Sequence, residues 1–244
     1  MANQYDDIGS RYKSFKDRPV VDIEESSVLP RLGSVKNLSC VDLASGLGSC
    51  SRLLIDLGAA KVVGIDISEE MVKAARTSLP DELRSKISFE IGDCSKPTVV
   101  EGGPFDVAFA GWLLNYAPDF ETMVGMWRNI YINLKPGGRF IGITVNTHCP
   151  MFEPVDNYGI LVRPIETVGE GWKCRLTAQM EPEPVEFDVF HFLHHFYERA
   201  AATAGMTDVK WYPPVPPDDE RRQNGFWDEY FLRPHMNIVT ASRP

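Results

Sequence analysis

The segment that most constrains the fold of this chain is residues 41–49, which read VDLASGLGS. Val41 and Leu43 suit the interior of a strand, where apolar side chains pack on a pleated surface. Gly46 and Gly48 let the backbone turn tightly and let a ligand approach it closely. The apolar residues that follow predict a helix, so the glycines form a loop between a buried strand and a helix.

This glycine loop predicts a binding site for a nucleotide-type cofactor. Ser49 or Ser51 is expected to cap the helix, and Gly58 is expected to end it. The first N–H groups of a helix have no partner inside the helix. Together with the positive end of the helix dipole, they attract anionic or strongly polar ligands.

Length and composition favour one α/β domain over residues 1–244. The chain is 43% hydrophobic, which is enough for a sizeable core. Its net charge of -9 argues against nucleic acid as a partner, because such a surface repels phosphates. We expect no membrane span and no signal peptide, since no apolar run is long enough and the N-terminus lacks the required order. The five cysteines are scattered and odd in number, so we expect reduced thiols in the cytoplasm.

Strands and helices alternate along most of the chain, which predicts a mostly parallel seven-stranded sheet flanked by helices. One strand is expected to begin near residue 38, and the others at residues 61–67, 86–93, 104–116, 139–145, 208–213 and 235–241. Helices are expected after the glycine loop, after Ser68, and at residues 24–32, 120–134 and 197–204. Pro136 and Gly137 suit a type II turn before the fifth strand.

Three segments depart from this alternation. Residues 1–36 are expected to form an N-terminal arm with one short helix. Residues 146–190 mix prolines with aromatic and short β-like pieces, so we expect an inserted cap over the active-site edge that selects the substrate. The proline-rich and charged residues 213–225 are expected to form an exposed loop.

In an open α/β sheet, ligands bind beyond the carboxyl ends of the strands. Four strands end in chemically selective residues here: Asp42 with the glycine loop, Asp66, residues 93–94 and residues 110–112. Asp66 can accept both hydrogen bonds of a ribose diol, and the acid at 93 can accept from an adenine amine. A dinucleotide would want a third glycine where Ser51 stands, and Asp42 would repel its pyrophosphate. The loop therefore favours a cofactor that carries an amino group.

Five segments in order resemble the motifs of the class I S-adenosylmethionine-dependent methyltransferases: VDLASGLGS, VVGIDIS, IGDC, FDVAFAGWLLNY and LKPGGRFI. The opening YDDIGSRY is similar to the N-terminal arm of many small-molecule members. The resemblance covers residues 5–145 and implies a Rossmann-like α/β fold with S-adenosyl-L-methionine as the cofactor. More narrowly, WLLNYAPD, residues 158–164, YERAAATAGMTDVKWYPP and GFWDEYFLRPH resemble methyltransferases of the toxoflavin-biosynthesis type. That resemblance implies N-methylation of a small amine or heterocycle in secondary metabolism.

The resemblance also implies the residues that contact the cofactor. The methionine moiety would contact Asp42, Ala44, Gly46 and Gly48. The ribose would contact Asp66 and Ile67, and the adenine would contact Asp93 and Cys94. The sulfonium and the transfer site would be lined by Ala110, Gly111 and Trp112. Aromatic faces attract cations, so the arm would close over the sulfonium with Tyr5 and Tyr12.

Methyl transfer is an in-line displacement, so holding the nucleophile against the methyl group supplies much of the acceleration. A neutral amine needs no base, whereas an alcohol, a phenol or a protonated amine needs one. The candidate catalytic residues are His191, His194, His195 and Tyr116. The candidate substrate contacts are Asn115, Tyr116, Asn146, Tyr158 and His191. The segment HFLHHFY alternates histidines with aromatic residues, so core packing explains these histidines equally well, and no metal site is expected.

Three other functions stay open. The chain could be an O-methyltransferase. It could also bind the cofactor without transferring a methyl group, as a regulatory subunit or a pericyclase-like enzyme does. A nicotinamide oxidoreductase is disfavoured by Asp42 and Ser51.

Overall fold

The computed structural model describes residues 18–147, 158–179 and 183–244. Its strands are β1 (Ser39–Leu43), β2 (Lys61–Asp66), β3 (Ile87–Ile91), β4 (Phe105–Gly111), β5 (Leu134–Val145), β6 (Ile160–Val168), β7 (Gly171–Ala178), β8 (Val185–Phe192), β9 (Thr207–Tyr212) and β10 (Met236–Ser242). Its helices are α1 (Pro19–Leu32), α2 (Ser49–Asp56), α3 (Glu69–Thr77), α4 (Phe120–Asn133), α5 (His194–Ala204), α6 (Glu220–Gln223) and α7 (Asp228–Leu232).

Seven strands form the central sheet in the order β3-β2-β1-β4-β5-β10-β9. Strands β1 to β5 are parallel to one another, and β10 runs antiparallel to both β5 and β9. The predicted seven-stranded, mostly parallel sheet is therefore confirmed. Because the parallel strands share one direction, the carboxyl ends of β1 to β5 meet along one side of the sheet, which we call the carboxyl edge.

The sheet is buried on both faces. Alternate residues of each strand belong to different hydrophobic clusters, as the pleat requires. Helices α1, α2 and α3 cover one face, and α4 and α5 cover the other. The central strands are consequently continuous apolar runs, which is typical of parallel sheets under two helical layers.

Helix α1 is a core element, although the sequence placed it in an arm. It starts at Pro19, five residues before the predicted helix, and proline is well suited to a first helical turn. The side chains of Val20 and Ile23 are fully buried against the sheet. At the other end, Arg139 of β5 donates a hydrogen bond from Nε to the Leu32 carbonyl at 3.0 Å. Because a helix rises about 1.5 Å per residue, Glu24 lies about 12 Å nearer to the carboxyl edge than Leu32 does.

The predicted cap contains a separate antiparallel sheet in the order β6-β7-β8. Its inward side chains, such as Cys174, Leu176 and Val189, are buried together. Strand β8 lies against a short 3₁₀ helix, Leu114–Tyr116, that follows β4. The antiparallel sheet therefore stands beside the carboxyl edge. Residues 148–157, in the same predicted segment, lie outside the described residues.

Three local predictions are wrong. Helix α5 starts at His194, three residues before the predicted start. The segment predicted as an exposed loop packs on α1, since Pro214 is buried and the Val215 N–H donates to Ser27 Oγ at 2.8 Å. Strand β5 begins at Leu134 rather than at residue 139. Gly137 within it has a positive φ of 77°, and the predicted type II turn stays a prediction.

Candidate functional site

The carboxyl edge brings the predicted motifs together. Leu43, the last residue of β1, pairs with Ile65 near the end of β2. Asp66 pairs with Ile91 of β3, and Gly111 pairs with Ile143 of β5. The glycine loop and the residues that follow β2, β3 and β4 therefore share one edge, as the sequence predicted.

The glycine loop combines strained backbone with open space. Ala44 has a φ of 59°, a left-handed conformation that is unfavourable for a residue with a side chain. Gly46 has a φ of 52°, and a Cβ built on it meets no described heavy atom within 4 Å. Gly48 has a φ of 74° and lies so close to the ring of Phe89 that a Cβ would collide with it. Glycine is thus required at position 48 for two reasons: the positive φ, and the Phe89 ring, which leaves no room for a Cβ.

Gly48 is also the N-cap of α2, and no side chain caps this end of the helix. The prediction that Ser49 or Ser51 caps it is wrong. The Ser51 N–H of the first turn bonds to the Asp42 carboxyl group instead. The positive end of the helix dipole at this end still favours a polar or anionic ligand. At the other end, Gly58 ends the helix as predicted, with a φ of 96° and its N–H donating to the Ile55 carbonyl at 2.8 Å.

Asp42 and Ser51 form a buried pair beneath the loop. The Ser51 hydroxyl donates to Asp42 Oδ2 at 2.6 Å, and the two residues are 0% and 1% exposed. Burial raises the pKa of Asp42 to about 7, although the Ser51 hydrogen bond lowers it. Asp42 lies inside β1 and ties the strand to α2. Its predicted contact with a cofactor amino group stays a prediction.

Asp66 joins the glycine loop to the end of β2. Its Oδ2 accepts the Gly46 N–H at 2.7 Å, and its Oδ1 accepts the Ser68 N–H at 2.9 Å. These bonds fix both carboxylate oxygens at the end of β2. The next residue, Ile67, is 50% exposed at the same edge. The predicted ribose contacts of Asp66 and Ile67 are compatible with this arrangement and stay predictions.

The end of β3 places an acid beside a buried thiol. Asp93 Oδ1 accepts the Ser95 N–H at 3.0 Å, and Oδ2 pairs with Lys96 Nζ at 2.8 Å. Partial burial raises the pKa of Asp93, but the hydrogen bonds from Lys96 and Ser95 outweigh it and hold the pKa below its usual value. Burial raises the pKa of the Cys94 thiol to about 12, so it stays neutral. The adenine contacts of these two residues stay predictions.

Strand β4 ends at Gly111, and Trp112 turns sharply away from it. Trp112 has a φ of 66°, an outlier for a bulky residue, and its N–H donates to the Ile143 carbonyl at 2.9 Å. Its indole N–H donates to Glu24 Oε1 at 2.8 Å. Ala110 is buried, while Gly111 and Trp112 are partly exposed. Strained backbone of this kind is concentrated at functional sites.

The three predicted catalytic histidines lie in different environments. His191 of β8 is 7% exposed, and burial lowers its pKa to about 4, so its imidazole is neutral. His194 stacks on Trp211 with 3.7 Å between ring centroids. His195 is about half exposed and pairs with Glu170 at 3.1 Å on the β6–β7 turn. The structure therefore gives His194 a packing role and His195 a surface hydrogen bond to Glu170, and it leaves His191 as the buried candidate.

The other residues predicted to contact the substrate also lie in different environments. Asn115 is 2% exposed, and its Oδ1 has no partner among the described residues. Tyr116 is partly buried on the 3₁₀ helix beside β8. Asn146 holds the start of β10, because its Nδ2 donates to the Pro234 carbonyl at 3.0 Å. Tyr158 lies in an aromatic group with Phe226, Trp227 and Tyr230.

The sequence analysis missed three residues that the structure places at the carboxyl edge. Glu24 of α1 bonds to Trp112, and the imidazole of His235 lies parallel to the Trp112 indole at 5.4 Å between centroids. The hydroxyl of Tyr230 lies 3.2 Å from His235 Nδ1. Tyr230 and His235 lie in the segment GFWDEYFLRPH, for which the sequence indicated a resemblance but no site residue. Glu24 comes from α1, and its only sequence signal is an acid on the apolar face of the predicted first helix.

Tyr5 and Tyr12, predicted to close over the cofactor, lie outside the described residues. Within the described ranges, no set of three histidine, cysteine or acidic side chains is arranged to hold a metal ion. No helix in those ranges combines the length and the apolar character that crossing a membrane requires.

Comparison with known proteins gives the family. A sequence profile described as a methyltransferase domain matches residues 34–164. A demethylmenaquinone methyltransferase of Lactococcus lactis is 34% identical over 132 residues, which are 53% of this chain and 50% of that protein. The chain thus spans about half the length of the curated relatives it matches.

Solved structures share the fold. An S-adenosylmethionine-dependent methyltransferase from Mesorhizobium loti superimposes with a TM-score of 0.64 at 23% identity, over 91% of this chain and 100% of that one. The glycopeptide N-methyltransferase MtfA, crystallised with S-adenosyl-L-methionine, gives a TM-score of 0.63 at 18% identity, over 93% of this chain and 95% of that one.

Proposed function

The chain belongs to the methyltransferase-domain family, and from this premise we propose that it transfers a methyl group from S-adenosyl-L-methionine to a small-molecule acceptor. The observation that carries the proposal is the meeting of the glycine loop, Asp66 and Trp112 at the carboxyl edge. This is where ligands bind in open α/β sheets.

The residues at this edge suit the proposed cofactor. The open space at Gly46 leaves the loop backbone accessible to the methionine moiety. The Asp66 carboxylate lies at the end of β2, where ribose hydroxyls would donate to it, and the exposed Ile67 offers an apolar surface beside it. Asp93 would accept from the adenine amine.

When bound, S-adenosylmethionine supplies a methyl carbon that its sulfonium has already activated. The contribution of the chain is to hold the acceptor in line with that carbon. Trp112 is fixed at three points, by its strained backbone, by the Ile143 carbonyl and by Glu24. A rigid wall of this kind supports catalysis by positioning, which in well-oriented systems supplies about 7–11 kcal/mol of the barrier reduction.

We propose N-methylation of an amine or heterocycle in secondary metabolism as the specific reaction. The segments that resemble the toxoflavin-biosynthesis type are far apart in sequence, yet three of them converge. Trp112, Tyr158 and Tyr230 each come from a different one. Tyr158 makes an edge-to-face contact with Tyr230, whose hydroxyl lies near His235 beside Trp112. This convergence supports a shared acceptor site.

Charge and thiol chemistry support the remaining parts of the proposal. A net charge of -9 disfavours a nucleic-acid substrate. The described cysteines, Cys40, Cys50, Cys94 and Cys174, form no disulfide. Reduced thiols are typical of the cytoplasm, which is the compartment we propose.

The test is binding followed by turnover. The purified protein is incubated with methyl-labelled S-adenosylmethionine, and retained label is measured after gel filtration. Absence of retained label contradicts the proposal. Turnover to S-adenosylhomocysteine with heterocyclic amines supports N-methylation, turnover with phenols alone indicates O-methylation, and binding without turnover indicates a non-transferring protein.

A further inference from the structure

The proposed function assigns no joint role to one group of side chains at the carboxyl edge. We call it the Trp112 cluster, and it consists of Glu24, Trp112, His191, Tyr230 and His235. Its members come from five different elements or their flanks, yet they are joined by hydrogen bonds, ring contacts and the electrostatic effects of His191 on His235 and of Glu24 on Tyr230. The cluster lies where β4 ends and β10 begins, since Met236 pairs with Val145 at the end of β5.

Two buried imidazole nitrogens of the cluster have no hydrogen-bond partner in the part of the chain that the structure describes. His191 Nε2 and His235 Nε2 are fully buried and accept or donate no hydrogen bond among the described residues. The other nitrogen of His235, Nδ1, is 3.2 Å from the Tyr230 hydroxyl. Burying a polar atom without a partner costs free energy, so such atoms in a folded protein call for an explanation. A bound ligand that forms hydrogen bonds with these nitrogens is one explanation.

The charges around the cluster limit what that ligand can be. Burial lowers the pKa of His191 to about 4 and that of His235 to about 3, and His191 adds to the shift of His235. Both rings are therefore neutral at pH 7. Among the described residues, no lysine or arginine is a cause of the pKa shift of either histidine or of Glu24. An anionic acceptor would thus be buried in the cluster without a cation to pair with, which costs free energy. A neutral acceptor avoids that cost.

Glu24 is the acid of the cluster. Burial raises its pKa to about 7, although the hydrogen bond from Trp112 lowers it. The groups near it are the Asp22–Arg221 ion pair and the exposed Glu25 on the α1 side, and Tyr230 on α7, whose own pKa is raised by burial and by Glu24. A carboxyl group that titrates near neutral pH is suited to general base catalysis.

We propose that the Trp112 cluster binds a neutral aromatic acceptor with an acidic N–H or O–H, and that the Glu24 carboxylate takes its proton. This inference rests on the proposed function. The heteroatom–hydrogen bond of the acceptor breaks and its proton passes to Glu24. The acceptor's electron pair forms the new bond to the methyl carbon, and the carbon–sulfur bond breaks with its pair left on sulfur, so the sulfonium becomes a thioether.

The first test needs no acceptor. The Trp112 indole N–H resonance, assigned by its loss in Trp112→Phe, is followed by nuclear magnetic resonance as the pH changes. We expect its shift to titrate near pH 7 in the wild type and in Glu25→Gln, the neighbouring exposed acid, and not in Glu24→Gln. An indole shift that is flat across this range, or that titrates equally in Glu24→Gln, overturns the assignment of the base.

The second test uses chromophoric probes with the protein loaded with S-adenosylhomocysteine, whose binding is first confirmed by calorimetry. The probes are para-nitrophenol for an O–H acceptor, nitroimidazole for an N–H acceptor and para-nitrobenzoate for a permanent anion. We expect one of the two neutral probes to bind and to show its anion spectrum in the wild type and in Glu25→Gln, but its neutral spectrum in Glu24→Gln. With S-adenosylmethionine, methylation of that probe should fall about a hundredfold in Glu24→Gln.

The outcomes separate the two proposals. If S-adenosylhomocysteine does not bind, the proposed function fails, while the indole titration still tests the base. If it binds but neither neutral probe binds, the proposed acceptor class is wrong. Tighter binding of para-nitrobenzoate than of both neutral probes, or equal ionisation of the probe in Glu24→Gln, also overturns the inference.

Discussion

The buried pair of Asp42 and Ser51 gives the sharpest stability prediction. In Ser51→Ala, the carboxyl group loses the hydroxyl that bonds to Oδ2 at 2.6 Å, and nothing replaces it, because both sites are almost fully buried. A hydrogen bond between neutral groups contributes about 0.5–1.5 kcal/mol, and one to a charged group about 1.5–3 kcal/mol. The cost of the substitution therefore depends on whether Asp42 is ionised.

The pH dependence follows from the pKa of Asp42, which is about 7 in the folded protein against 3.8 for an unperturbed aspartate. Between these values the folded state binds more protons than the unfolded state, so this residue destabilises the fold increasingly as pH rises from 3.8 to about 7. We expect Ser51→Ala to cost about 1 kcal/mol at about pH 5.5 and about 2–3 kcal/mol at about pH 8.5.

The assay is urea unfolding followed by circular dichroism at both pH values. Ser49→Ala, two residues earlier on the same helix, is the matched control, and Asp42→Asn removes the titrating group. In the Asp42→Asn background, the cost of Ser51→Ala should no longer change with pH. A cost equal to that of Ser49→Ala, or one that is the same at both pH values in the wild-type background, would refute the reasoning.

Three further predictions concern the loop, the edge and the surface. Gly48→Ala should lower the unfolding free energy more than Gly137→Ala does, by about 1–3 kcal/mol in urea titrations. Both glycines have a positive φ, but only a side chain at position 48 would collide with Phe89. Equal losses of unfolding free energy would contradict this prediction. Asp66→Ala should weaken S-adenosylhomocysteine binding at least about tenfold by calorimetry, through loss of the Gly46 bond and of a charge-assisted contact, and unchanged affinity would contradict it. His195→Ala should leave turnover unchanged, since this histidine is exposed and bonded to Glu170, and a large loss of activity would return it to the catalytic site.

Features encoded in short segments could be predicted from the sequence. The strand ends, the glycine loop and the acids at Asp66 and Asp93 each depend on neighbours within a few residues. Parallel strands then bring such segments to one edge by a general rule of α/β folds. For this reason the seven-stranded sheet and the position of the candidate site were predicted before any tertiary contact was known.

Features that depend on contacts between distant segments could not be predicted. The sequence predicts that Ser51 caps a helix, but its hydroxyl donates instead to the buried carboxyl group of Asp42, nine residues earlier. The histidines of the β8–α5 corner have similar sequence surroundings, and only their tertiary partners distinguish a stacked ring from a surface hydrogen bond. Glu24 and His235 are 211 residues apart, and both contact Trp112 because β10 inserts antiparallel beside β5.

The most direct test of the central claim is a calorimetric comparison of two ligands for the glycine loop. S-adenosylhomocysteine and NADH are titrated separately into the wild type, into Asp66→Ala and into Asp56→Ala, a control at the exposed end of α2. We predict that S-adenosylhomocysteine binds the wild type and the control equally and Asp66→Ala weakly, and that NADH binds none of them. Tight binding of NADH, or no binding of S-adenosylhomocysteine to the wild type, would contradict the assignment of the loop.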